Sequence, residues 1–285
     1  MRLTGRTGSV ICMLAATVGL TGAARAQLRP AAHQLRVCAD PGDLPFSNEK
    51  GEGFENKIAA IIAKDLGDSL SFDWWPNRRG FVGHTLGMRH CDLIVAAPKG
   101  FDLVIETNPY YRSTYYIVTR RDRNIKLTSL DDPLIKTLRI GVNQIGDNYA
   151  NTPPAHALSA RGAVSNVTGF STFYDEERHV RPSDIIDAVS KGTIDVALAW
   201  GPIAGYYAKH SSVPLNLVPL PDTDRVTGFP FAYDVSLGVR RGDNSFRDLL
   251  NQVLERRKAD IDSVLRDYGV PTLPLAPATA SSSPK

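Results

Sequence analysis

The feature that most restricts the fold is a pair of short runs, Asp92 to Ala97 and Ile194 to Ala199, each apolar apart from one acid. A strand with no polar face must be covered on both sides, and the usual cover is helices over a parallel sheet. The flanking sequence carries the matching periods. Leu35 to Ala39 reads as a strand, and Phe54, Ile58, Ile61, Ile62 and Leu66 recur at helical spacing up to Gly67. Leu70, Phe72 and Trp74 alternate as a strand, and a short helix around His84 to Met88 leads into Asp92 to Ala97. The first unit is therefore β-α-β-α-β.

A long extended segment, Ser113 to Arg120, separates it from a second unit. There Leu138 to Val142, Asn166 to Phe170 and Ile194 to Ala199 read as strands, with helices following Pro153-Pro154, Pro182 and Pro202. Leu215 to Leu220 and the strand Val235 to Arg240 come next, and apolar residues from Phe246 to Leu265 mark a long helical region. Two α/β units with a returning strand and helix predict an α/β fold of two lobes, two hinge crossings and a cleft between the lobes. The expected lobes are 27–117 with 236–270, and 118–235, the crossings falling at Tyr116 to Thr119 and Asp234 to Leu237. Residues 271–285, rich in Ala, Pro, Ser and Thr, read as a flexible tail.

The start of the chain looks like a secretory leader. Arg2 and Arg6 precede an apolar run from Val10 to Ala24, and Ala24-Arg25-Ala26 fits a cleavage site, so residues 1–26 read as a signal peptide and Gln27 as the mature terminus. The run is shorter than the roughly 20 residues that span a bilayer, and no other stretch reaches that length. The formal net charge of +3 equals the leader's Arg2, Arg6 and Arg25, since no acid precedes residue 27. The exported chain is then neutral overall, so nothing global draws it toward nucleic acid or an anionic lipid surface.

Export also gives the cysteines a meaning. Cys12 leaves with the leader, and Cys38 and Cys91, on strand-like segments in an oxidising compartment, make an even pair that suggests a disulfide. Two buried free thiols are the alternative. A bridge between positions 53 residues apart is worth roughly 4 kcal/mol in the chain-entropy model.

No catalytic motif stands out: G-x-S-x-G, the P-loop, H-E-x-x-H and the Rossmann glycine fingerprint are all missing. His84, His90 and Cys91 do not match a zinc spacing, and Asp222-Thr223-Asp224 lacks the spaced acids of a calcium loop. The expectation is a nonenzymatic protein with no metal or cofactor of its own.

The order of elements, with Asn108-Pro109-Tyr110-Tyr111 before a long strand and Gly192-x-x-Asp195-Val196-Ala197 before an apolar one, resembles type II periplasmic solute-binding proteins. Amino-acid binders of that group hold the ligand carboxylate with an Arg before the Pro-Tyr motif and its ammonium with an Asp after the later strand. Here Pro98 to Glu106 contains no Arg, and Ala199-Trp200-Gly201-Pro202 stands where the Asp would fall.

These departures resemble a narrower group. Cys38-Ala39-Asp40-Pro41, Leu44-Pro45-Phe46-Ser47-Asn48, Gly53-Phe54-Glu55-Asn56-Lys57, Arg78-Arg79-Gly80-Phe81, Pro109-Tyr110-Tyr111-Arg112-Ser113, the segment Gly146 to Pro154 and Trp200 to Tyr206 look like the MoxJ and XoxJ group of periplasmic proteins associated with quinoprotein methanol dehydrogenases. The resemblance implies a binding-protein fold in a noncatalytic accessory of a PQQ-dependent methanol dehydrogenase, whose metal is calcium or a lanthanide. The implied task is binding a dehydrogenase subunit to assist its activation or cofactor loading. The competing reading is a receptor that carries a small-molecule ligand in the cleft to an importer, a solute other than a standard amino acid.

Phe46, Tyr110, Arg112, Asp147, Tyr149 and Trp200 are the candidate cleft or partner-binding residues, because open α/β sheets bind ligands at strand ends. Packing of Tyr110, Tyr111 and Trp200 in the core is the alternative. Arg79, with Arg78 beside Trp74 and Trp75, is a candidate partner contact, since Arg and Trp are favoured at interface hot spots.

Overall fold

The computed structural model describes residues 34–145 and 150–276. The leader and its cleavage site, Asp147, Tyr149 and the last nine positions of the expected tail lie outside the described residues. The described residues belong to one compact unit that begins at Ala32.

The first half is built on β1 (Gln34–Ala39), β2 (Ser69–Trp74) and β3 (Leu93–Pro98), all parallel in the order β2-β1-β3. Helix α1 (Phe54–Leu66) crosses between the first two strands, burying Phe54, Ile58 and Ile62 at successive turns of one face. Asn56 Oδ1 accepts the free amide of Gly53 at 3.0 Å, and Gly67 ends the helix with φ 71°, the left-handed conformation that glycine tolerates. A two-residue strand, β4 (Ile105–Glu106), leads toward β5 (Tyr111–Arg120).

The second half contains β6 (Ile140–Ile145), β7 (Ala150–Asn151), α2 (Pro153–Ala160), β8 (Val167–Ser171), α3 (Asp184–Lys191), β9 (Val196–Trp200), α4 (Gly201–His210) and β10 (Leu215–Pro219). The chain returns through β11 (Ala232–Val239), α5 (Asn244–Arg256) and α6 (Lys258–Asp267). Two helical runs take a more particular form. The expected helix at His84 to Met88 is a π-helical turn, Gly83–Gly87. The region from Phe246 to Leu265 breaks at Arg257, where Arg256 and Arg257 turn together onto the nearly buried Asp65 of α1 at 2.5 and 2.6 Å.

β5 joins the halves. Its residues Tyr111 to Thr114 pair antiparallel with Val235 to Ala232 of β11, whereas Tyr115 to Thr119 pair with Trp200 to Val196 of β9. The strand leaves one sheet partner and takes up the other between Thr114 and Tyr115. On the first side the core is Leu35, Val37, Leu93, Val95, Leu237 and Val239 under α1, α5 and α6. On the second, the core lies on both faces of β6 and β9, as the unbroken burial of Val196 to Ala199 requires.

The disulfide forms: Cys38 at the end of β1 is bonded to Cys91 just before β3, with Cα atoms 5.4 Å apart. It sits in a small satellite core with Phe81, Val82, Leu86 and Ile94. Residues 271–276, which composition alone assigns to the tail, lie along β5 instead. The Leu273 amide donates to the Arg112 carbonyl at 2.8 Å, and Ser113 Oγ donates to the Pro271 carbonyl at 2.7 Å. No helix of the described residues is long and apolar enough to cross a membrane.

Candidate functional site

Strand order brings the two halves together around the exchange point on β5, and the chain's own side chains fill much of that region. Arg112 reaches Asp234 of β11 and Asp222, both at 3.1 Å. Asp234 is only 3% exposed in its side chain, so Arg112 neutralises a carboxylate that has almost no water. One strand pair on, Thr114 Oγ1 donates to the Leu220 carbonyl at 3.2 Å. Gly201 opens α4 directly against this strand, and a Cβ there would collide with Ser113 Oγ.

Trp200, at the carboxyl end of β9, is the aromatic centre. Its ring lies 5.3 Å from Tyr115 and 5.9 Å from Tyr233, both edge-on, and it packs against all three large apolar cores. Phe46 bridges two of them and lies 5.4 Å from Phe54. Tyr110 is buried, donating its hydroxyl to the Val95 carbonyl at 2.9 Å, and its ring meets Tyr111 at 5.0 Å. Burial pushes both phenols well above their ordinary pKa, so they remain hydrogen-bond donors rather than charges. Phe46 and Trp200 thus stand where cores of the two halves meet, Arg112 lies on the strand that joins the halves, and Tyr110 is buried within the first core. Arg79 stands apart, exposed on the loop after β2.

The loop from Asp40 to Asn48 closes on the second half. Tyr207 of α4 donates its hydroxyl to the Leu44 carbonyl at 2.7 Å, and Gly42 lies so close to Tyr174 that a Cβ would run into its ring.

This loop carries groups that sequence reading passed over. Asp40 accepts the Gly42 and Asn77 amides at 2.8 and 2.6 Å, and desolvation raises its pKa. Asp43 is raised well above the carboxylate range by burial, with Asp40 and Glu55 adding like charge. Glu55, in the first turn of α1, is pushed up to about 8, again mainly by burial, with Asp40 adding to it. Burial and like charge both favour the protonated form of such acids. Asp40 and Glu55 stand in the short motifs around Cys38 and Phe54, but the convergence of the three acids needed the fold. Among the described residues, no group of three or more His, Cys, Asp or Glu side chains could hold a metal ion.

On the second half, Asn143 is 2% exposed, and neither its amide nitrogen nor its amide oxygen has a hydrogen-bond partner. It shares a strand face with Gly141, whose neighbours are Ile194, Phe170 and Ile185, so its side chain is on the α3 side of β6. The candidates Asp147 and Tyr149, which follow β6 in sequence, lie outside the described residues.

Two parallel-stranded α/β halves joined by shared antiparallel strands define the type II periplasmic binding proteins. An ancestral amino-acid-binding protein, AncCDT-1, shares the fold at 22% identity and a TM-score of 0.58, covering 83% of this chain and 95% of its own. Closer relatives give the particular family. Protein MoxJ of Paracoccus denitrificans is 31% identical over 255 residues, 84% of this chain and 89% of the relative. Periplasmic binding protein XoxJ from Methylobacterium extorquens AM1 is 40% identical, with a TM-score of 0.69 over 84% of this chain and 99% of its own. MxaJ from Methylophaga aminisulfidivorans MPT has 27% identity and a TM-score of 0.72 over 84% of this chain and 100% of its own. The chain belongs to the MoxJ and XoxJ family of periplasmic binding proteins. No family model matches it.

Proposed function

We propose that this chain is a noncatalytic periplasmic accessory of methanol oxidation that binds a subunit of a PQQ-dependent methanol dehydrogenase and assists its activation or cofactor loading. It carries no cofactor of its own; the quinone and its calcium or lanthanide partner belong to the dehydrogenase. It is exported, with cleavage after Ala26. The chain divides into lobes 27–117 with 236–270, and 118–235, so that the halves can rock about β5 and β11.

The observation that carries this reading is how the charged and aromatic groups between the halves are spent. In an amino-acid receptor, a guanidinium and a carboxylate would be reserved for the ligand's own charges. Here Arg112 is committed to Asp234 and Asp222, and Trp200 to three cores. Phe46, Tyr110, Arg112 and Trp200 shape the cleft from within, leaving Asp147, Tyr149 and Arg79 to meet a partner. A receptor for a small solute draws support from Asn143, a buried amide whose donor and acceptor both lack partners.

Calorimetry of the mature chain with purified apo and holo methanol dehydrogenase tests the choice. Tighter binding to the apo form is expected, since an activator must stabilise that state preferentially. Failure to bind either form, by a chain shown to be folded, would overturn the accessory reading, and a solute retained through purification would replace it.

A further inference from the structure

We propose that the loop from Trp75 to His90 is a preformed docking face for an acidic protein surface. This rests on the accessory reading and specifies where the dehydrogenase subunit is held: on the loop that follows β2, the edge strand of the first half.

The segment carries Arg78, Arg79, Arg89, His84 and His90 and no acid. Its apolar members divide sharply. Phe81, Val82 and Leu86 are buried with the disulfide, whereas Met88 and Trp75 are 59% and 40% exposed. Trp75 stacks on His84 with ring centroids 4.9 Å apart, a flat apolar surface beside the turn that bears Arg78 and Arg79. The side chains of Arg78, Arg79 and Arg89 form no hydrogen bond or ion pair among the described residues. Arg78 is felt through space by Asp40 without pairing with it. The acids at the rim are otherwise engaged: Asp92 holds Arg36 at 2.8 Å, and Asp73 faces His90 at 3.9 Å.

The backbone beneath is fixed at many points. Trp75 N donates to the Ala39 carbonyl at 2.9 Å and Asn77 N to Asp40 at 2.6 Å. Arg240 donates to the carbonyls of Leu86 and Cys91 at 3.0 and 2.7 Å, and Arg36 donates to that of Arg89 at 2.9 Å. A loop already held in one conformation loses little further freedom on binding. Unpaired arginines around an exposed tryptophan and methionine have the composition of an interface centre, and their uncompensated charge selects a partner of opposite sign.

The test is interferometry of the exported chain against apo methanol dehydrogenase at low and physiological salt. The variants are Arg78→Glu with Arg79→Glu, the same pair changed to Lys, and Trp75→Ala, each checked for an unchanged melting temperature. The expected result is binding that weakens with salt, falls about tenfold or more on charge reversal, chiefly through the association rate, and largely survives the lysine pair. Binding by the unaltered chain that charge reversal leaves within about twofold would overturn the docking face and spare the accessory reading. No binding by the unaltered chain would overturn both. Charge-dependent capture on anionic phosphatidylglycerol vesicles, or self-association abolished by the same reversal, would replace the acidic protein with a membrane or a second copy.

Discussion

Replacing Arg112 with Met should destabilise the chain by about 3 kcal/mol. Breaking a buried ion pair by removing one partner costs about 3–5 kcal/mol, because the other charge is left without water. Asp234 is 3% exposed and Arg112 13% exposed in their side chains, so the pair qualifies as buried. The cost falls at the low end because the Ala276 amide also reaches Asp234, at 3.4 Å. For a chain of this size about 3 kcal/mol lowers the melting temperature by roughly 6–12 °C. Urea unfolding followed by far-ultraviolet circular dichroism would measure the loss. Arg112→Met with Asp234→Leu should recover more than half of it, since apolar replacement of both partners of a buried pair is often close to neutral. A single-variant loss below about 1 kcal/mol, the size typical of exposed pairs, would refute the argument. So would a double variant as costly as the sum of its parts.

Three more outcomes are expected from other parts of the fold. Removing the Cys38–Cys91 bridge, by reduction or by serine at both positions, should cost about 4 kcal/mol, and titration of the unfolded, unreduced chain should find neither thiol free. Against the upward pull of burial, hydrogen bonds from Arg161 and Thr227 hold the Asp224 carboxyl down at about 2 against an ordinary 3.8. Its contribution, about 2 kcal/mol, is therefore present above pH 3.8 and lost as pH falls through about 2, so the stability gap to Asp224→Asn should shrink over that window. Glu55 shows the opposite sign: its pKa is raised from 4.5 to about 8, so stability falls as pH rises between those values. Glu55→Gln should raise the melting temperature at pH 9 and leave it unchanged at pH 4, and equal effects at both would refute the assignment.

The alternating periods made the α/β order readable because each element repeats locally: Phe54, Ile58 and Ile62 mark α1 on one face, and Val196 to Ala199 mark a doubly covered strand. What composition could not show depends on partners distant in sequence. Pro271 and Leu273 sit in a run too poor in apolar surface to order itself, and they are ordered because β5 offers them hydrogen bonds, one of them 158 positions away. Arg256 and Arg257 look like exposed helix positions until Asp65 is brought beneath them. The candidate site divides the same way. Residue type brought out Arg112 and Trp200, while the raised acids Asp40, Asp43 and Glu55 acquire their character only from burial and from one another.

The chain contains three tryptophans, and their positions make it an instrument for observing itself. Trp200 contacts all three large cores, so its emission follows any motion of one half against the other. Trp75 lies on the arginine loop, 40% exposed, and Trp74, stacked on Phe72 at 4.8 Å, is its neighbour. Tryptophan to phenylalanine changes at 74 and 75, or at 200, would separate two optical channels. A solute drawn between the halves would register in the buried channel, and a protein landing on the outer edge would register in the exposed one.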